Sequence, residues 1–334
     1  MSRFRRAAAR LTLAGIAAVA LSAAVALPAT GHTGHLFTAL IPADSSNGQF
    51  GTIDPVTGVI SSVGSPQASA LQGIEIVAET GYAITATSGD GPTTYAIATW
   101  DHTTGVITGS VPIALPVAGF VDSVEGLDSL PDGTLIAYLY ADIESGEFDV
   151  PEIWVVSINP ATGMTTFLVE ITALDDEEFY TDSLATDPTT GITYGFIDYD
   201  DGDPLVITLD LVGGTYSGPV LLSGLQNEFG DGYVGGADYD TAGTLWFYYV
   251  IFGGEEEDNV DVLASTSGPI DELTVSETVS AELTQNAHLQ NLAYDPYVPQ
   301  LAATGFPVLA VGVGAAALLG AGAIAMFSRR RRVA

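Results

Sequence analysis

The sequence contains no cysteine and no lysine, and the absence of cysteine already excludes one class of structure. Without cysteine the chain forms no disulfide bonds and no thiolate metal sites, so a folded domain must be stabilised by burial of apolar side chains alone. Hydrophobic residues make up 47% of the chain, which excludes a disordered stalk despite the acidity. We therefore expect a domain with an ordinary apolar core.

Positive charge is confined to the two ends of the chain. All eight basic residues are arginines, four in the first ten residues and four at 329–332, whereas all 41 acidic residues lie between Asp44 and Asp295. This distribution excludes binding of nucleic acids and phosphorylated ligands, because these need basic side chains to neutralise them. We expect a neutral or cationic partner, and a stability that rises with salt or divalent cations.

The N-terminal residues 1–31 have the pattern of a secretory signal peptide. Four arginines precede an apolar stretch over residues 11–26, which ends in the small residues Ala24-Val25-Ala26. The pair Arg5-Arg6 also fits a twin-arginine signal, but three alanines follow where that signal has bulky apolar residues. We predict export by the general route, with cleavage within residues 26–31.

The C-terminal residues 299–334 combine a pentapeptide, an apolar span and a basic end. Leu301-Ala302-Ala303-Thr304-Gly305 is followed by uncharged residues 306–327 and by the arginines at 329–332. The span is long enough to cross a hydrocarbon layer of roughly 30 Å as a transmembrane helix, with the arginines on the cytoplasmic side. A plain single-pass anchor is one interpretation of this segment.

The order of these three features resembles the sorting signal of cell-wall-anchored surface proteins of Gram-positive bacteria. In that family a sortase cleaves between Thr and Gly and joins the Thr carbonyl to a peptidoglycan precursor. The resemblance implies that Thr304 is the linked residue, that sortase and peptidoglycan are partners, and that the membrane is contacted only before processing. The common LPxTG motif has Pro second, whereas Ala302 is similar to the LAxTG variant associated with class E sortases.

Residues 32–298 show the pattern of an all-β domain with an internal repeat. Short β-branched and aromatic runs alternate with Gly, Asp, Asn and Pro turns. Tight turns recur at Asp54-Pro55-Val56-Thr57-Gly58, at Asp101 to Gly105 and at Asn159 to Gly163. A second marker opens each unit about every 53 to 57 residues, at Gly73-Ile74-Glu75, Gly126-Leu127-Asp128, Ser183-Leu184-Ala185, Gly236-Ala237-Asp238 and Gln290-Asn291-Leu292.

Each repeat holds four short strands, which is the content of one β-propeller blade. Residues 36–63 contain the later strands of a blade, and residues 289–294 supply a lone opening strand. If these two segments pair, five blades close into a ring without an unpaired repeat. The turn pattern resembles that of secreted bacterial β-propellers at the level of fold. Six or more blades, or tandem β-sandwiches, are the alternatives.

Two sets of acidic residues are candidate cation sites. Asp198, Asp200, Asp201 and Asp203 form an oxygen-rich segment of the kind that calcium binds, although the spacing is not that of an EF-hand. A solvated turn is the other interpretation. The acidic runs 175–178 and 255–258 indicate long acidic loops on one rim. We expect no cofactor apart from this candidate calcium.

No sequence motif of a known catalytic centre is present, so we predict a secreted binding, adhesion or structural module at the cell surface. The alternative is a surface glycoside hydrolase acting on neutral polysaccharide. Asp128 and Asp238 lie at equivalent points of two opening strands and would be its inward-facing acids. Its sugar platforms would be Trp100, Trp154 and Trp246. Packing within the blades and positions in turns are the other interpretation of these acids and tryptophans. We also expect His102 to face solvent, since it lies in a turn.

Overall fold

The fold is taken from a computed structural model, which describes residues 35–42, 47–55, 57–88, 92–115, 120–142, 152–172, 179–199, 204–222, 232–252, 260–266, 277–282 and 287–295. The predicted signal peptide and the predicted sorting signal at residues 301–305 lie outside these ranges. Within these ranges, no helix has the length and apolar character needed to span a membrane.

The described residues form twenty β-strands, as the alternation of apolar runs and turns predicts. The strands are β1 (His35–Pro42), β2 (Gln49–Ile53), β3 (Ile60–Val63), β4 (Ala70–Val77), β5 (Thr80–Thr87), β6 (Thr94–Asp101), β7 (Val106–Pro112), β8 (Phe120–Ser129), β9 (Leu135–Asp142), β10 (Glu152–Ile158), β11 (Thr165–Ile171), β12 (Phe179–Thr186), β13 (Thr193–Tyr199), β14 (Pro204–Asp210), β15 (Thr215–Leu221), β16 (Gly232–Tyr239), β17 (Leu245–Ile251), β18 (Val260–Thr266), β19 (Glu277–Glu282) and β20 (Ala287–Asp295).

The strands form five antiparallel sheets of four strands, and each sheet is one blade of a propeller. Blade 1 has the order β20-β1-β2-β3, blade 2 is β4 to β7, blade 3 is β8 to β11, blade 4 is β12 to β15, and blade 5 is β16 to β19. The innermost strands β20, β4, β8, β12 and β16 contact one another around the axis. The five-bladed prediction is confirmed, and the sandwich and larger-ring alternatives are wrong.

The ring closes through the pairing of the last strand with the first. Strand β20 is antiparallel to β1 from His35 opposite Asp295 to Pro42 opposite Ala287, with one bulge after Thr38. The two ends of the described domain thus share one blade, which removes the unpaired inner edge that a lone terminal repeat would leave. This confirms the closure that the two leftover segments predicted.

The recurring turns join the third and fourth strands of blades 1 to 4. In the turn that Asp101 opens, Oδ1 of Asp101 accepts hydrogen bonds from the backbone N–H groups of Thr103 and Thr104, at 2.8 and 3.2 Å. The carbonyl of Asp101 accepts a further bond from the N–H of Gly105, at 2.8 Å. Gly105 has a φ of +67°, a conformation that favours glycine. The same arrangement recurs at Asp54, Asn159 and Asp210.

The core consists of side chains packed between neighbouring blades. Trp100 stacks on Phe50 of the adjacent blade with a ring separation of 3.9 Å, and its Nε1 donates to the carbonyl of Tyr82. Trp154 and Trp246 are also buried, at 6% and 2% exposure. The interpretation of these tryptophans as blade-packing residues is therefore confirmed, and the sugar-platform interpretation is wrong, because buried rings cannot contact a sugar.

The expectation that His102 faces solvent is also wrong. Its side chain is 10% exposed, and its Nε2 lies 3.6 Å from Oδ2 of the buried Asp295 on the closing strand β20. His102 follows the end of β6 in blade 2, so this contact links blade 2 to the strand that closes blade 1. The turn signal was correct, but it could not show which neighbouring blade the side chain faces.

Candidate functional site in the central funnel

Three acidic side chains from three blades converge on the propeller axis. Glu75 lies on β4, Asp128 on β8 and Asp238 on β16, each near the carboxyl end of an innermost strand. One carboxylate oxygen of each residue lies within 4.8 Å of the corresponding oxygen of the other two. The acids are buried, with exposures of 4%, 3% and 6%. We call these three residues the funnel triad.

The sequence singled out two members of the funnel triad and missed the third. Asp128 and Asp238 were candidates because each lies two residues after the glycine of an opening marker. Glu75 follows Gly73 at the same spacing, so the repeat itself carried the signal. The corresponding residue of blade 4 is Ala185, which is buried and carries no charge. An acidic residue at this position is therefore found in blades 2, 3 and 5 and is not a feature of every repeat.

Asn291 of the closing strand β20 blocks the axis. It has a left-handed φ of +61°, and its Nδ2 donates to the carbonyls of Leu127 and Ile74, at 2.9 and 3.3 Å. Gly236 permits this close approach, because a Cβ there would lie 2.9 Å from the Cα of Asn291, whereas a Cβ at Gly73 would collide first with Leu127. Ser183 of β12 donates its hydroxyl to Oδ1 of Asn291 at 3.4 Å, so the amide connects β20 with the innermost strands of three other blades. This role of Asn291 was not predicted from the sequence.

Asp128 and Asp238 accept hydrogen bonds from neighbouring donors, whereas one carboxylate oxygen of Glu75 has no donor in the described part of the chain. Thr186 donates its hydroxyl to Oδ2 of Asp128 at 2.6 Å, and Asp238 accepts the N–H groups of Tyr239 and Tyr294. Ser129 donates to Oε1 of Glu75 at 2.8 Å. For Oε2 of Glu75, which is buried, the described part of the chain provides no hydrogen-bond partner.

The triad opens into a cavity of about 210 Å³. The cavity is lined by the triad and by residues of the turns that join the first and second strands of blades 2 to 5, among them Ala78, Pro131, Pro188 and Thr241. In an antiparallel four-stranded blade these turns lie at the same edge as the turns between the third and fourth strands. The funnel therefore opens on the face of the propeller that carries the Asp turns.

Burial raises the pKa of every member of the triad. It raises the pKa of Asp128 to about 6, against the hydrogen bond from Thr186 that favours the charged form. The pKa values of Glu75 and Asp238 lie well above the usual range for carboxyl groups, because burial and then the neighbouring triad carboxylates disfavour their charged forms. With no lysine or arginine between residues 11 and 328, the triad has no such side chain to pair with, so protons or a bound cation are needed to offset its charge.

The other candidate cation site is described only in part. Asp198 is buried at 7% exposure near the end of β13, while Asp200, Asp201 and Asp203 lie outside the described residues. Calcium binding there stays a prediction, as do the acidic loops at 175–178 and 255–258. Another acid is the half-buried Glu125 on β8, whose pKa burial raises to about 7 although Ser123 donates a hydrogen bond to it.

No protein-family model and no curated protein matches the sequence. Solved structures do match. A luciferin-regenerating enzyme is 16% identical over 72% of this chain and 75% of that protein, with a TM-score of 0.41. The periplasmic gluconolactonase of Pseudomonas aeruginosa is 12% identical, covers 81% and 70%, and has a TM-score of 0.37. The xyloglucan GH43B protein of Bacteroides ovatus is 12% identical, covers 79% and 58%, and has a TM-score of 0.45. At these values the similarities indicate no function.

Proposed function

We propose that this protein is exported, joined to the cell wall by a sortase through Thr304, and displays its propeller as a binding module with the funnel as the ligand site. The observation that carries the binding role is the convergence of three acidic side chains from three blades on one cavity. The surface location is supported by the two terminal sequence signals. The absence of Lys and Arg from residues 11–328 favours a neutral or cationic ligand.

The anchoring part is tested by the variant Thr304→Ala. A sortase needs this threonine to form its acyl intermediate, so the variant should stay in the membrane fraction with its final arginines, whereas the unmodified protein should be released only by a muramidase. The matched control is Thr30→Ala, in the pentapeptide Leu27-Pro28-Ala29-Thr30-Gly31 within the predicted signal region. Equal membrane retention of the unmodified protein and of Thr304→Ala would show a plain anchor.

The binding part is tested on an array of neutral glycans with the full-length chain. We expect binding that is lost in the double variant Asp128→Asn, Asp238→Asn and kept in Glu170→Gln, which removes one charge from an exposed position on β11. Array binding that survives the funnel variant would place the ligand elsewhere on the propeller. An array without any bound glycan would contradict the choice of a neutral glycan as ligand.

A glycoside hydrolase is the second candidate, and the carboxyl group of Asp128 favours it. With a pKa of about 6 this group can serve as a general acid near neutral pH. The spacing of at most 4.8 Å between triad oxygens is close to the separation of about 5 Å in retaining enzymes and shorter than the roughly 6.5–9.5 Å of inverting ones. Hydrolysis of a neutral polysaccharide with retention, abolished by Asp128→Asn, would establish this activity.

A further inference from the structure

We propose that Glu75, Asp128 and Asp238 form a binding site for a hard divalent cation, Ca²⁺ in the first place, at the floor of the funnel. The proposal rests on the use of the funnel as a binding site, but it does not depend on how the protein is held at the cell surface. It concerns residues that are separate from the acidic segment 198–203.

The spacing of the three carboxylates matches one shared ion. Ca²⁺ binds oxygens at about 2.3–2.6 Å, so two ligand oxygens on opposite sides of one ion are about 4.6–5.2 Å apart, and adjacent ones are closer. The triad oxygens all lie within 4.8 Å of one another. An ion centred between three oxygens 4.8 Å apart would lie about 2.8 Å from each, so small side-chain movements bring all three within ligand distance.

The orphaned oxygen of Glu75 is a separate observation that points to a ligand. Glu75 is 96% buried, Ser129 satisfies only its Oε1, and Oε2 has no hydrogen-bond donor in the described part of the chain. A buried carboxylate oxygen without a partner is costly, and folded proteins rarely retain one. The same carboxylate lines the cavity and belongs to the triad, so a cation bound there would satisfy the oxygen.

The described part of the chain shows no positively charged side chain paired with the triad. Lys and Arg are absent from residues 11–328, and the one described histidine in contact with a buried acid, His102, lies against Asp295. Buried carboxylates are normally paired with a cation or bound to a metal. Oxygen-only ligands suit Ca²⁺, Mg²⁺ and Mn²⁺ better than softer metals, and Ca²⁺ tolerates irregular geometry best. The hydroxyl oxygens of Ser129 and Thr186 are available beside the triad as further ligands.

Terbium luminescence tests the proposal on the purified full-length chain, because Tb³⁺ replaces Ca²⁺ and is sensitised by nearby tyrosines. Tyr239 and Tyr294 line the same cavity. We expect one saturable site whose emission is reversed by Ca²⁺. Glu75→Gln and Asp128→Asn should each weaken Tb³⁺ binding at least about tenfold, the lower bound that loss of even a supporting residue produces. Glu170→Gln should change it less than about twofold.

In both funnel variants the amide oxygen can keep the hydrogen bond from Ser129 or Thr186, and each removes a buried carboxyl group, so we expect them to fold. Circular dichroism checks this, and the melting temperature of the unaltered chain with and without Ca²⁺ gives a readout that needs no variant. Equal Tb³⁺ affinity in Glu75→Gln and Glu170→Gln, or a melting temperature unmoved by Ca²⁺, would overturn the proposal. So would loss of emission in Asp200→Asn, Asp201→Asn alone, which would place the ion in the segment 198–203.

The outcome is distinguishable from that of the glycan array. Loss of Tb³⁺ binding with retained glycan binding would leave the propeller a binding module without a cation in its funnel. Tb³⁺ binding without binding to any glycan on the array would show that the funnel binds a cation and would contradict the proposal of a glycan ligand.

Discussion

Acidic residues occupy two different environments on the same face of the propeller. At the outer turns, carboxylates such as that of Asp101 accept backbone N–H groups and are exposed to water. In the funnel, the carboxylates of the triad are buried beside one another. Hydrogen bonds, first among them the one from the side chain of Thr103, lower the pKa of Asp101, whereas burial raises the pKa of Asp128 to about 6. The turn acids thus favour folding in their charged form, and the funnel acids oppose it.

The turn acids stabilise the fold, whereas the funnel acids destabilise it, which indicates that the funnel acids have a role in ligand binding. The turn acids stabilise local structure, because their carboxylates accept hydrogen bonds from backbone N–H groups of a tight turn that ends in a left-handed glycine. The funnel acids satisfy few neighbours, and one of their oxygens satisfies none in the described part of the chain. Burying like charges without a counter-ion destabilises a protein. Such a cluster is typical of a ligand site.

The largest expected effect is the pH dependence of the metal-free chain. A carboxyl group with a raised folded-state pKa holds a proton that the unfolded chain releases, so its stabilisation is complete below pH about 4 and is lost as the pH rises through the folded value. For Asp128, with a folded pKa of about 6, the loss is on the order of 2–3 kcal/mol between pH 4 and pH 7. Denaturant unfolding in a chelator should show stability falling over this range. A rise would reverse the assignment.

Removal of the funnel charges should stabilise the metal-free chain. The double variant Glu75→Gln, Asp128→Asn keeps the hydrogen bonds from Ser129 and Thr186 through the amide oxygens but removes two buried ionisable carboxyl groups. We expect a gain of about 1–3 kcal/mol at pH 7.5 in a chelator, and a flatter pH profile. With Ca²⁺ present, the order should invert. A variant that is less stable than the unaltered chain under both conditions would show that the acids serve the fold.

Alanine substitutions at two turn glycines should distinguish the stability cost of backbone strain from that of a steric clash. Gly163 and Gly191 both have left-handed φ angles, of +70° and +71°. A Cβ on Gly163 would collide with the carbonyl oxygen of Pro112, whereas a Cβ on Gly191 meets nothing within 4 Å. We expect Gly191→Ala to cost about 1 kcal/mol from strain alone, and Gly163→Ala about 2 kcal/mol or more. Chemical denaturation measures both, and equal losses would argue against the close contact at Gly163.

The smallest effect should come from the substitution of a single turn acid. It should lower the stability of the chain at pH 7, whereas substitution of the funnel acids should raise the stability of the metal-free chain. Asp101→Ala removes the acceptor of the N–H groups of Thr103 and Thr104 and should lower stability at pH 7 by about 1 kcal/mol. Because the pKa of Asp101 is lowered, its contribution is present above pH about 4 and is lost as the pH falls below that value. A gain in stability at pH 7 would contradict the comparison.

The fold could be predicted from the sequence because each repeat contains recognisable turn residues that mark where its strands end. Turns from Asp or Asn to a glycine mark the third and fourth strands, and the unpaired opening strand at 289–294 indicates closure. The site was only half predictable. Asp128 and Asp238 lie at equivalent repeat positions, and Glu75 lies at the same position but was not selected among 41 acidic residues. No local pattern indicates Asn291, because its place on the axis exists only once five blades have closed.

Burial was the property that the sequence conveyed least. His102 was assigned to solvent from its turn position, and residue type alone left the three tryptophans between sugar platforms and blade packing. The structure places all four in contacts between or within blades. Such contacts depend on which blade lies beside which, a relation between residues distant in the chain. The same relation brings the triad together from β4, β8 and β16.

The most direct test is a crystal structure of the protein grown with Mn²⁺, which substitutes for Ca²⁺ at carboxylate sites and scatters anomalously. We predict one strong anomalous peak within about 2.5 Å of an oxygen of Glu75, of Asp128 and of Asp238. Three carboxyl groups without a peak between them, at a pH above 7 and with Mn²⁺ bound elsewhere on the chain, would contradict the account.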